Sequence, residues 1–93
     1  MPKIVATIQV ADLAEWEKRF RTHGDLFLRQ TIEGQYDYTM ISDGNRVVLC
    51  AEVGDVDTFF SVLESAEADH AKSFDGVKRE SIEFFVLDRQ FKF

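Results

Sequence analysis

YDYTMISDGNRVVLCAEV, residues 36–53, holds two runs of strand character joined by Asp43-Gly44. Tyr36, Tyr38 and Met40 alternate with Asp37, Thr39 and Ile41, and RVVLCAEV follows at once. Asp-Gly between two such runs marks a hairpin, because the mirror-image turns that match strand twist need positive φ at their centre. With those two residues as the loop, Ser42 opposes Asn45 and Met40 opposes Val47. Side chains alternate along a strand, so this register gathers Tyr36, Tyr38, Met40, Val47, Leu49, Ala51 and Val53 on one face. The other face takes Asp37, Thr39, Ile41, Arg46, Val48, Cys50 and Glu52.

Upstream, KIVATIQV (Lys3 to Val10) sets Ile4, Ala6, Ile8 and Val10 against Val5, Thr7 and Gln9 and predicts a strand. Asp12 with Glu15 three residues on has the spacing of a capping box, in which each side chain satisfies a backbone amide of the first turn. Leu13, Trp16, Phe20 and His23 then recur at helical spacing as one apolar stripe, and Gly24 is the expected terminator. Asp25 to Glu33 is expected to be an irregular continuation. Downstream, Asp55 caps a second helix whose Val56, Phe59, Phe60 and Leu63 share a face. Ser65 and AEADHAKSF predict a further short helix carrying His70 and closed by Asp75-Gly76. A last strand is expected from Arg79 to Leu87. In the tail, Asp88 to Phe93, the alternation of Phe91 and Phe93 suits an extended segment lying on its own sheet or a partner's edge.

The order β-α-β-β-α-β is that of the ferredoxin-like α+β fold. Right-handed crossovers make it a four-stranded antiparallel sheet with the first and third strands central and the helices on one face. Those two strands have apolar residues at successive positions, as strands covered on both faces do. The helices cover one face only. The other, with Val5, Ile41, Val48, Cys50 and Phe85, is left for a second copy, and a sheet-to-sheet homodimer closing into an α/β barrel is the expected assembly. Residues 1–93 are expected to form one such domain.

Composition narrows the function classes. The chain has 93 residues, 45% of them hydrophobic, nine of them Phe, and a formal charge of −6 without any long run of one sign. Nucleic acid is not an expected partner, because phosphate binding needs a basic face. No apolar run is long enough to span a membrane, and the amino terminus lacks the apolar core of a signal peptide. A single cysteine, Cys50, cannot form an internal disulfide, and a cytoplasmic location is expected.

WEKRFRTH with Trp16, Phe20 and His23, the hairpin ending VVLCAEVGDVD, the helix TFFSVLES and the segment SAEADHAKSFDGV together resemble the dimeric α/β-barrel superfamily. That superfamily includes antibiotic-biosynthesis-type monooxygenases, polyketide cyclases and stress-responsive barrel proteins. The likeness runs from Lys3 to about Val86. It implies two ferredoxin-like units packed sheet to sheet, each with a small-molecule pocket between sheet and helices. The activities of its members run from cofactor-free oxygenation through cyclisation and isomerisation to haem chemistry, so the fold does not select one.

His23 is the expected general base, lying with Trp16 and Phe20 where a pocket between helix and sheet would be. The structural alternative is a histidine bonding the last carbonyls of its helix. Tyr36 and Tyr38 point the same way and would wall a site for an aromatic ligand, although aromatic cross-strand pairs are also ordinary sheet stabilisers. His70 could join His23 across the pocket mouth, or sit exposed on its helix. The ligand-binding set is thus Trp16, Phe20, Tyr36, Tyr38 and His70, with His23 catalytic. No metal and no cofactor is called for, since the sequence has no close-spaced ligand pair, phosphate loop or dinucleotide fingerprint. Two functions follow. One is a cofactor-independent enzyme of monooxygenase or cyclase type acting on a small apolar or aromatic molecule. The other is a non-catalytic dimer that binds a small molecule or a protein.

Overall fold

Alternating burial in the sequence becomes a sheet with one dry face. The computed structural model describes residues 2–41 and 44–92. Strand β1 (Lys3–Val10) buries Ile4, Ala6, Ile8 and Val10, and β3 (Arg46–Val53) buries Val47, Leu49, Ala51 and Val53. With β2 (Ile32–Ile41) and β4 (Val77–Leu87) they form one antiparallel sheet in the order β2-β3-β1-β4. The two apolar strands are central, as expected. Met40 pairs with Val47 and Ile41 with Arg46, the expected register. Ser42 and Asp43 of the turn lie outside the described residues, and positive φ falls on Gly44 (89°) and Asn45 (53°).

Helix α1 (Leu13–Phe20) starts where Asp12 Oδ1 accepts the Glu15 N–H at 2.9 Å. The reciprocal half of the capping box is replaced: the Glu15 carboxylate lies 3.4 Å from Arg19 instead. The helix also ends earlier than its apolar stripe suggested. The Thr22 and His23 amides donate to Arg19 and Phe20, three residues back, which tightens the last turn and closes it. Gly24 terminates nothing. It opens a second helix, α2 (Gly24–Arg29), with His23 at its N-cap position, so Asp25 to Glu33 is helix followed by the start of β2 rather than irregular chain. The reason is aromatic packing. Phe27 of α2 packs tilted against Phe20 at 4.8 Å and edge-on against Tyr36 at 4.9 Å.

Thr31, at φ 62°, ties α2 to the next crossover. Its hydroxyl donates to the Asp55 carbonyl and accepts the Asp55 N–H, while its carbonyl accepts the Gly54 N–H. Asp55 Oδ1 caps α3 (Val56–Leu63), and the Ser65 hydroxyl caps α4 (Ala66–Asp75), which Gly76 ends in the left-handed conformation at φ 75°. β4 starts at Val77, earlier than the pattern showed. Its register against β1 slips between Thr7 and Gln9, and Ser81 accepts the displaced Gln9 N–H at 2.8 Å, so the bulge is satisfied.

All four helices lie on the dry face. On the other, Val5, Val48 and Cys50 are half-buried and Ile41, Phe85 and Leu87 are exposed by 46%, 50% and 49%. The tail does not fold back on its own sheet, for Phe91 is 88% exposed; Phe93 lies outside the described residues. No helix is long and apolar enough to cross a membrane.

Candidate active site

Two hydrophobic clusters meet under the helices. One is built on Trp16 and the β1–β3 centre, the other on Phe59, Ile4 and Val53, and Tyr36 and Phe84 pack against both. Between them is a cavity of about 100 Å³ lined almost wholly by apolar side chains. Trp16, Phe20, Phe27, Tyr36, Phe59 and Phe84 supply aromatic wall. The polar groups at its edge are few: His23, Gln30, Lys72 and Asp75.

His23 owes its place to the break between α1 and α2. Its Nε2 stands 2.8 Å from Oδ1 of Asp75, the last residue of α4, and Phe27 and Phe74 meet its ring edge-on at 6.3 and 5.9 Å. The Asp75 side chain is 4% exposed. Burial raises its carboxyl above the usual aspartate range, and the hydrogen bond and charge of His23 and the charge of Arg19 pull against that rise. Arg19 also donates to the Phe74 carbonyl at 2.8 Å and lies over the Phe74 ring, which fixes the end of α4. With Asp75 ionised, only His23 can supply the proton of their bond. The imidazole is thereby held as the tautomer with Nδ1 free of hydrogen, and a proton taken there gives an imidazolium stabilised by the carboxylate.

The raised carboxyl has a sign that can be measured. A folded-state pKa above the ordinary 3.8 makes a contribution to stability that is complete below that value and is lost as pH rises through the raised one. In a His23→Gln background, where only the carboxyl of the pair titrates, Asp75→Asn should therefore gain stability relative to Asp75 between about pH 4 and pH 7. Urea midpoints across that range measure it, and a gap that stays flat or moves the other way contradicts it.

Tyr36 lies within the irregularity in β2, where pairing slips between Glu33 and Asp37 and Gly34 has φ 83°. Burial pushes its phenol well above the usual tyrosine range, so it stays protonated and is a donor. Tyr38 takes another path. Its ring meets Trp16 edge-on at 5.6 Å, and its hydroxyl leaves the interior to donate to Glu17 at 2.7 Å and accept from Arg21 at 3.1 Å. Those bonds, Tyr38 first and Arg21 second, hold the Glu17 carboxyl below its usual range. His70 is exposed on α4 and lines an outer groove with His23 and Phe74, not the inner cavity. Trp16 and Phe20 do line the cavity, stacked at 4.8 Å.

Among the described residues one buried side-chain nitrogen or oxygen meets no partner, the indole Nε1 of Trp16. An unmet buried donor costs on the order of 1–3 kcal/mol. Sequence patterning singled out neither Asp75 nor Phe27 nor Gln30 as part of a site. The signal for Asp75 was present as Asp75-Gly76, read only as a helix end. Among the described residues no three His, Cys, Asp or Glu side chains come together as metal ligands do.

No protein-family model and no curated protein sequence matches this chain. Solved structures do match in fold. A Bordetella bronchiseptica protein assigned to the antibiotic biosynthesis monooxygenases superposes with a TM-score of 0.73 at 16% identity, over 97% of each chain. SnoaB, a cofactor-independent oxygenase from Streptomyces nogalater, gives 0.70 at 20% identity, over 98% of this chain and 94% of that one. A third, an antibiotic biosynthesis monooxygenase, gives 0.67 at 13%, over 97% of this chain and 99% of that one. At these identities the likeness establishes the fold, and the chain has the ferredoxin-like α+β fold of the antibiotic biosynthesis monooxygenases and of SnoaB.

Proposed function

We propose that this protein is a cofactor-independent enzyme of monooxygenase or cyclase type, acting on a small apolar or aromatic molecule held in the cavity under its helices. The observation that carries the reading is the His23–Asp75 pair at the wall of an otherwise apolar cavity. A base poised there by a buried carboxylate removes a proton from a substrate O–H or acidified C–H, and desolvation strengthens the step. That first step is shared by cofactor-free oxygenation and cyclisation. The fold shared with SnoaB, itself a cofactor-independent oxygenase, supports the reading. The experiment is direct: wild-type protein is incubated with phenols and enolisable ketones, with oxygen uptake and product formation followed. Turnover supports the enzyme; ligand binding without turnover moves the reading to a non-catalytic binding protein, which the small volume of about 100 Å³ favours.

The proposed unit is a cytoplasmic homodimer. The sheet face opposite the helices carries Val5, Val48, Cys50, Phe85 and Leu87 in one continuous apolar patch across three strands. A second copy covers it with an interface larger than the ~800 Å² of incidental contacts. Val48→Asp should then dissociate the dimer, because it buries an unpaired carboxylate between the sheets. Sedimentation of the variant reads this. An intact Val48→Asp dimer, or a wild-type monomer at micromolar concentration, overturns it.

A further inference from the structure

We infer that the cavity is entered from the outer groove through the seam between α2 and α4, with Leu26 as the side chain that closes the passage and the Arg29–Glu67 ion pair as its latch. The groove has a volume of about 330 Å³ and is lined in part by His70 and Phe74. His23, Leu26 and Ala71 line both the groove and the cavity, so a layer one side chain thick separates the two spaces. The inference concerns access, and it stands whether the cavity turns a substrate over or only binds one.

Helical spacing aligns the parts. Leu26 and Arg29 are three apart on α2, and Glu67 and Ala71 are four apart on α4, so each pair shares a helix face. Arg29 reaches Glu67 across the seam. Their side chains are 49% and 66% exposed, so solvent screens the pair and it parts at little cost. Behind it stand Leu26 and Ala71, both half-buried, and Ala71 offers only a methyl to the seam. The helices stay where they are. Phe27 keeps α2 seated on Phe20 and Tyr36, and Arg19 holds the end of α4 through the Phe74 carbonyl, so rotation of Leu26 opens the passage once Arg29 and Glu67 separate. On the other side of α4 the wall is tied differently: Lys72, which also lines the cavity, donates to the Leu63 carbonyl at 3.2 Å. That seam is the rival entrance.

The test uses water as the entering molecule and the single tryptophan of the chain as the detector. Trp16 lines the cavity without solvent exposure, and its indole N–H meets no acceptor among the described residues, so no hydrogen bond has to break before it exchanges and the arrival of water sets the rate. Exchange of that one resonance is followed by ¹⁵N–¹H NMR in the full chain, with the amides paired between β1 and β3 as the gauge of wider opening. Glu67→Gln is expected to speed indole exchange by up to about fivefold, the ceiling set by an exposed ion pair, and Leu26→Ala to speed it further, both with the sheet amides unmoved. Ala71→Leu fills the seam and should slow it. Salt at about 1 M should speed exchange in wild-type protein and not in Glu67→Gln, because only the former has a latch to screen. Indole exchange that Leu26→Ala and Glu67→Gln leave at the wild-type rate, or raise only in step with the sheet amides, overturns the inference. So does a rise in Lys72→Ala larger than in either, which moves the entrance to the α3–α4 side; if Ala71→Leu fails to fold, these comparisons decide alone. Failure of the enzyme reading is a separate result, since indole exchange needs no substrate and no turnover.

Discussion

Replacing His23 with Gln should lower turnover by about 10²–10⁴-fold, the range removed with a positioned general base, while ligand affinity and the thermal midpoint change little. Glutamine keeps a donor near the Asp75 carboxylate, so the buried charge is not stranded, but it cannot accept a proton. Loss should fall on kcat rather than KM, because in the proposed reaction the imidazole acts on charge that develops after binding. Asp75→Asn should lower kcat by a smaller factor. It removes the acceptor that fixes the imidazole tautomer and the carboxylate that stabilises the imidazolium, yet leaves a base in the cavity wall. Steady-state kinetics of the two variants and the double variant test this as a unit. If His23→Gln retains wild-type kcat, His23 is not the base. If the double variant is as impaired as His23→Gln alone, Asp75 acts through His23.

Trp16→Ala should cost about 3–5 kcal/mol, as large-to-small changes at fully buried aromatics do. Trp16 has no solvent exposure, stacks on Phe20 at 4.8 Å and takes the edge of Tyr38 at 5.6 Å, so its removal unpacks the α1 face from the sheet. A domain of this size has a stability of only about 5–15 kcal/mol, and the variant should be largely unfolded at moderate urea. Trp16→Phe separates packing from polarity. It keeps a stacked ring and deletes the buried N–H that has no acceptor, so its cost should be well under half that of Trp16→Ala. Urea denaturation of both variants decides. Equal losses would mean that the indole nitrogen is satisfied by something other than a ligand, and a negligible loss in Trp16→Ala would mean that α1 does not anchor the core.

Strand pairing and faces could be read from the chain alone. The period-two alternation in KIVATIQV and RVVLCAEV names its buried residues without reference to any partner strand, since a slip by one residue would turn every apolar side chain to water. Helix starts at Asp12, Asp55 and Ser65 were legible for the same reason: an N-cap is a local bond between a side chain and an amide three residues on. The Asp75-Gly76 helix end was equally local.

What only the tertiary structure decided is where the chain between Phe20 and Ile32 goes, and with it the site. Helical spacing carries the stripe through to His23, but α1 stops at Phe20 and the chain turns into α2, which packs the half-buried Phe27 against Phe20 and Tyr36. That choice moves His23 from a helix face to the corner between two helices. There it meets Asp75, which no spacing rule could pair with it, since a contact between residues far apart in sequence is set by how α1, α2 and α4 pack and not by any local period. Tyr36 and Tyr38 part company for a similar reason. Alternation puts both on the inner face of β2, but Glu17 on α1 and Arg21 at its C-cap draw the Tyr38 hydroxyl outward, leaving Tyr36 to the cavity. The sequence by itself determined the sheet, its two faces and the residues of the core, because those follow from periodicity and local hydrogen bonding; the cavity and the pairing of His23 with Asp75 were decided by tertiary packing, because they depend on which helix ends meet.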